Sequence, residues 1–182
     1  FSGGALDDSA SRLIFNGLLR YDTEGKLVSD LASDWRVDES RKIYTVTMRS
    51  DIKWHDNQPV TAEDVVYTIN AIKNPETRST AFASWQGITV KALSEKEVSF
   101  ELPAPFAPFP NALTVAILPK HLLGEVRANQ LRTSSFNTNP VGTGPFAFST
   151  LRDVGGKEQQ VELSANENYF RGKPKLSRFV LH

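Results

Sequence analysis

The sequence predicts a mixed, strand-rich α/β fold, and three observations carry that expectation. In "KIYTVTMRS", Ile43, Thr45, Thr47 and Arg49 alternate with Tyr44, Val46 and Met48, the period of a half-buried strand. Behind Thr61, the residues Val65, Val66, Ile69 and Ile72 fall on one stripe at helical spacing. The composition is globular, with 40% apolar and 23% charged residues, and 182 residues suffice for one domain or for a lobe of something larger.

The elements follow in order. "DDSASRLIFNGLL" opens with helix-capping residues, places Leu13, Ile14 and Leu18 at helical spacing, and predicts a helix that stops at Gly17. "YDTEGKLV" reads as a turn centred on Glu24 and Gly25. Two extended segments then flank a polar turn from Asp38 to Arg41. "DIKWHD" predicts a short strand with Ile52 and Trp54 on one face and Lys53 and His55 on the other. "DNQP" is turn chemistry, and Thr61 with Asp64 resembles a capping box, with Asp in place of the usual Glu or Gln. Glu63 and Asp64 also suit the positive end of the helix dipole, and the helix is expected to end near Asn74-Pro75.

"ITVKAL" and "EVSFEL" predict two strands joined by a Ser-Glu-Lys turn. The five prolines of "PAPFAPFPNALTVAILPKHLL" predict a rigid, irregular connection whose phenylalanines pack into the core beneath it. "NPVGTGPFAFST" reads as a tight turn feeding a strand. Its lone Gly-x-Gly has no following phosphate-binding lysine, and Pro145 blocks an immediate helix. A return strand follows in "GGKEQQVELSAN", then a loop with Arg171-Gly172-Lys173-Pro174 at its tip, then a last strand in "LSRFVLH".

Composition excludes several chemistries. With no cysteine there is no disulfide, thiolate metal site or cysteine nucleophile. Lysine plus arginine equal aspartate plus glutamate at 21 each, so no charge excess points to nucleic acid or an anionic membrane surface. No apolar run is long enough to span a bilayer. The three histidines, His55, His121 and His182, lie far apart without metal-ligand spacing, and no nucleophile elbow is present. No catalytic residue, metal or cofactor is therefore nominated. Trp54-His55-Asp56 ahead of Glu63-Asp64 is read as a turn and a helix cap, because both acids already have a structural role. The competing hydrolase reading requires a carboxylate bonded to His55 or His121 inside a pocket.

The order of the segments adds a resemblance. The stretch from "NGLLRYDTEGKLVSDLASDW" through "YTVTMRSDIKWHDNQPVTAEDVVYTI", with "NPVGTGPFAF" and "NYFRGKPKLSRFVL" farther on, resembles the family 5 extracellular solute-binding proteins. These are the oligopeptide- and dipeptide-binding components of bacterial ABC importers. The matching positions are Gly17 to Leu19, Leu31 to Trp35, Tyr44 to Arg49, Trp54 to Asp56 and Pro59 to Val65. One departure is Asn57, where the family usually has Gly, and Asn also tolerates left-handed backbone angles.

The resemblance implies the N-terminal part of a periplasmic-binding-protein-like, two-lobed fold that closes on ligand by a hinge. It implies that residues 1–16 and 119–182 belong to lobe I and that residues 17–118 form a smaller family-specific subdomain. The second main lobe is expected outside these 182 residues, and any export signal or lipid-anchor cysteine upstream of them. The implied function is non-catalytic solute binding for uptake, with a small peptide or other small solute as ligand and a membrane permease as partner. The implied location is extracytoplasmic, in the periplasm or as a cell-surface lipoprotein. A ligand-sensing domain of a regulator built on the same fold is the alternative. By the same resemblance, Gly3, Gly4 and Ala5 would offer backbone to an extended peptide, and Phe82 and Trp85 would face the cleft. The competing readings are an unstructured terminus and simple core packing of two aromatics.

Overall fold

A computed structural model describes residues 5–154 and 158–181. It is a mixed α/β structure, as the alternating and helical patterns predict. The first helix, α1 (Ala5–Ile14), leads into a hairpin of β1 (Leu19–Tyr21) and β2 (Leu27–Ser29). Next come β3 (Ala32–Val37), β4 (Ile43–Met48), α2 (Ala62–Lys73), the short α3 (Phe82–Trp85), β5 (Thr89–Ser94) and β6 (Glu97–Glu101). These four strands make one antiparallel sheet in the order β3-β4-β6-β5. After α4 (Lys120–Leu123), the strands β7 (Phe146–Val154), β8 (Glu158–Ala165) and β9 (Arg178–Leu181) form a separate antiparallel sheet.

Register explains the main core. Tyr44 pairs with Phe100 and Phe100 with Val90, while Val46 pairs with Val98 and Val98 with Ala92. Side chains opposite one another share a face, so one side of the four-stranded sheet is a continuous apolar surface. Tyr44, Val46 and Met48 are buried, and Ile43 on the other face is exposed. Helix α2 covers this surface with Val65, Ile69 and Ile72. A second cluster gathers Ile14, Phe146 and Leu163 under the β7–β9 sheet, and a third gathers Ala71, Leu123 and Leu131.

The start of α2 confirms the capping-box reading. Asp64 is 4% exposed, and its Oδ2 accepts from the Thr61 N–H at 2.8 Å. Its Oδ1 accepts from the Lys120 N–H at 2.8 Å, which pins the extended run before α4 onto α2. Thr68 Oγ1 accepts from the Leu118 N–H at 2.9 Å in the same register. Glu63 instead reaches outward to Lys120 Nζ at 3.0 Å. At the far end Asn74 is the C-cap, next to Pro75, as expected.

Three expectations are corrected. Helix α1 ends at Ile14 rather than Gly17. The Ile14 carbonyl accepts from the Gly144 N–H at 2.7 Å, and Leu18 leaves the helix to enter the main core. "DIKWHD" is not a strand but carries a single bridge, Lys53 to Pro59. Proline has no N–H to extend a ladder, and the His55 N–H goes to the Gly142 carbonyl at 2.8 Å. Ile52 and Trp54 are nevertheless buried, and Asn57 takes the left-handed conformation with φ 69°. Finally, the phenylalanines of the proline-rich stretch divide: Phe109 is buried, whereas Phe106 is exposed.

The two acids at the start of α2 can be separated by mutation. Asp64→Ala strands two part-buried amide N–H donors, those of Thr61 and Lys120, and should cost about 1–3 kcal/mol in denaturant unfolding. Glu63→Ala, losing only an exposed ion pair, should stay within about 0.5 kcal/mol of the parent.

Candidate ligand-binding site

Proline geometry builds one open concave surface. Pro103, Pro105 and Pro108 hold the chain after β6 away from any strand ladder, and a 3-10 turn over Phe109–Thr114 brings it back. Helix α3 and the Trp85–Ile88 turn face it. Between them lies a groove of about 750 Å3, lined by Trp85, Phe106 and Phe109 with Ser84, Gln86, Asn111 and Thr114 as polar groups. Among the described residues, no charged side chain lines it. At its side, the Tyr21 hydroxyl donates to Asn111 Oδ1 at 2.6 Å.

The aromatic residues expected at the cleft have different placements. Trp85 is 1% exposed, held between Phe100 (ring centroids 6.0 Å apart) and Phe109 (5.8 Å), so it forms the floor of the groove. Phe82 begins α3 and is half-buried. Gly3 and Gly4 lie outside the described residues, and Ala5 is the first residue of α1.

A second groove of about 430 Å3 runs between α1 and the β7–β8 hairpin, lined by Ile14, Phe15, Leu131, Phe136 and Phe148. Arg132 is the charged residue on its wall.

His55 and His121 are both engaged in the fold. His121 Nε2 lies 2.7 Å from Asp56 Oδ2, with both side chains 31% exposed, and this pair lines neither groove. His55 is half-buried, and both its ring nitrogens are taken by backbone: Nε2 lies 3.0 Å from the Gly144 carbonyl and Nδ1 accepts from the Gly142 N–H at 3.2 Å. Burial lowers its pKa below the ordinary histidine value, against opposing contributions from the Gly144 carbonyl and Asp56. So His55 is not the polar-face strand residue expected from the alternation. Among the described residues, no group of three histidines or acids is placed to hold a metal ion.

A polar junction lies away from both grooves. Asp30 is 2% exposed, and its carboxylate accepts from Asn16 Nδ2 at 2.8 Å and from Arg171 at 2.9 Å. Thr143 Oγ1 donates to Asn16 Oδ1 at 3.1 Å, and the Tyr169 hydroxyl lies 3.2 Å from Asn16 Nδ2. Burial raises the Tyr169 pKa above the ordinary phenol value. This junction joins the α1 exit, the β2–β3 connection and the "NYFRGKP" loop. Sequence reasoning gave it no role, because its members are spread from residue 16 to residue 171.

The described residues thus form two open grooves, with His55 and the buried acids committed to structure. Residues 26–182 match the sequence family described as bacterial extracellular solute-binding proteins, family 5 middle, and the chain belongs to that family. The oligopeptide-binding protein AppA of Bacillus subtilis is 30% identical over 177 residues, covering 93% of this chain and 32% of AppA. The structure of AppA in complex with a nonapeptide superposes with a TM-score of 0.89 at 28% identity, over 99% of this chain and 36% of that one. The structure of NikZ from Campylobacter jejuni, in complex with Ni(L-His), superposes with a TM-score of 0.84 at 37% identity, over 93% of this chain and 33% of NikZ. The ABC transporter substrate-binding protein CtaP of Listeria monocytogenes gives 0.84 at 28% identity, over 99% of this chain and 36% of CtaP. The chain thus spans about a third of the length of these relatives. No helix among the described residues is long and apolar enough to cross a membrane.

Two of the three aromatics of the groove, Trp85 and Phe106, have separable roles. Trp85→Ala should cost about 3–5 kcal/mol in urea unfolding, because it opens a cavity in the main core. Phe106→Ser, at an exposed position, should change stability by less than about 0.5 kcal/mol.

Proposed function

We propose that this chain is part of an extracytoplasmic solute receptor that captures a small peptide or another small solute for uptake by an ABC permease. The observation that carries the proposal is the unbroken family match over residues 26–182, together with the superposition of nearly the whole chain on AppA. The relatives named above are binding proteins, which favours this reading over a ligand-sensing regulator on the same fold. The receptor does no covalent chemistry: the bonded pair at His121 and Asp56 stands apart from both grooves, and the His55 ring is spent on backbone.

In this reading, residues 1–16 and 119–182 belong to lobe I and residues 17–118 to the smaller subdomain. The largest hydrophobic cluster supports that division, since residues 18–117 supply its buried members, although a smaller cluster joins Ala71 to Leu123 and Leu131 across it. Gly3, Gly4 and Ala5 are proposed to present backbone to an extended peptide, and Phe82 and Trp85 to bound the ligand from the subdomain side. The second main lobe would come from the part of the relatives' length that this chain does not span. Ligand then acts by stabilising the closed form that the permease recognises.

Thermal unfolding of the full-length protein against short peptides, sugars and a nickel–histidine chelate tests the proposal. One class should stabilise it strongly, by about 2.7 kcal/mol at a concentration a hundredfold above its dissociation constant. A flat response to every class, with turnover of any of them, would contradict it.

A further inference from the structure

The His55 ring has a property that the receptor reading does not use. Both its nitrogens bond to one short loop, Gly142-Thr143-Gly144, which lies more than 80 residues away in the chain. The Gly142 N–H requires a ring nitrogen with a free lone pair, so Nδ1 carries no proton. The Gly144 carbonyl requires a donor, so Nε2 carries one. The geometry therefore fixes the neutral, Nε2-protonated tautomer.

The same loop is held from three other directions. The Gly144 N–H donates to the Ile14 carbonyl, Thr143 Oγ1 donates to Asn16, and Asn166 Nδ2 donates to the Gly144 carbonyl at 3.1 Å. His55 adds the 53–59 turn to this set, through its ring and through its own N–H.

We propose that His55 is an acid-sensitive clasp between the 53–59 turn and the 142–144 loop. A second proton on the ring converts Nδ1 from acceptor to donor, so it meets the Gly142 N–H donor to donor and the clasp opens. Burial of the ring acts in the same direction by disfavouring its charged form.

The charged groups around it are few. The 142–144 loop, the α1 exit at Ile14 and Asn16, and Asn166 present no charge to the ring. Asp56, next in sequence, is the acid that acts on it. Asp56 is in turn bonded to His121 of α4.

The sign of the linkage follows. His55 has a folded pKa below its unfolded value of 6.5, so the unfolded chain binds the proton more readily. The clasp contributes fully above that value, and its contribution is lost as pH falls below it toward the folded pKa. The inference stands independently of the solute that the protein carries.

Hydrogen exchange of the full-length protein, corrected for the intrinsic pH dependence of exchange, tests the clasp on segments 53–60 and 140–146. Between pH 7.5 and pH 5, wild-type protection in both segments should fall at least tenfold while the β4–β6 strands hold. His55→Gln, which keeps a donor and an acceptor but does not titrate, should show no such fall. His121→Ala should retain it, with the onset moved to higher pH because Asp56, no longer bonded to His121, favours the charged His55 ring more strongly. Equal pH profiles for wild type and His55→Gln would overturn the proposal. If His55→Gln does not fold, 15N NMR of the wild-type histidines decides. An Nδ1-protonated tautomer, or a folded pKa at or above 6.5, would also overturn it. These outcomes are separate from the solute panel, which the clasp does not affect at neutral pH.

Discussion

Everything in this chain is arranged around a close contact between two backbones: the Gly142-Thr143-Gly144 loop and the last carbonyls of α1. A Cβ on Gly142 would collide with the Ile14 carbonyl, and one on Gly144 with the carbonyl of Leu13. Only residues without a side chain allow the Gly144 N–H to reach the Ile14 carbonyl at 2.7 Å. That bond ends the helix, turns Asn16 toward Asp30 and sends Leu18 and Leu19 into the main core. It also sets the start of β7, whose Phe146 packs with Ile14 in the second cluster. The glycines that might have suggested a phosphate loop are thus packing glycines.

Buried acids are the second organising feature. Asp30 and Asp64 are 2% and 4% exposed, and a carboxylate taken out of water persists only when donors replace its hydration. Asp64 is satisfied largely by backbone, where α2 begins and where the chain approaches α4. Asp30 is satisfied by Asn16 and Arg171, with Arg20 Nε farther off at 4.0 Å. Each acid joins segments remote in sequence, and that work leaves neither free for general acid–base chemistry. The two grooves lie apart from both acids, and the proline-edged one is lined mostly by apolar residues.

What the sequence revealed was local. The β3–β4 and β5–β6 hairpins, the cap and stripe of α2 and the Asn57 turn all follow from patterns shorter than about two turns or one hairpin. What it hid depended on distant partners. Alternation put His55 on a polar face, yet its ring partners lie 87 and 89 residues away. Asp30 and Arg171 are 141 residues apart, and no periodicity links them. Phe106 and Phe109, three residues apart in a run of prolines, have opposite fates because only the second lies under Tyr44 and Trp85. For the site, the aromatic positions Phe82 and Trp85 were named through the family resemblance. The depth of Trp85 was not readable, since it is set by Phe100 and Phe109 from the other wall.

The most direct test of this account is denaturant unfolding of Gly142→Ala in the full-length protein. If the loop can approach α1 only without a side chain, the added methyl group should cost on the order of 1–3 kcal/mol or more. A variant within about 0.5 kcal/mol of the parent would show that the contact is dispensable, and would contradict the account.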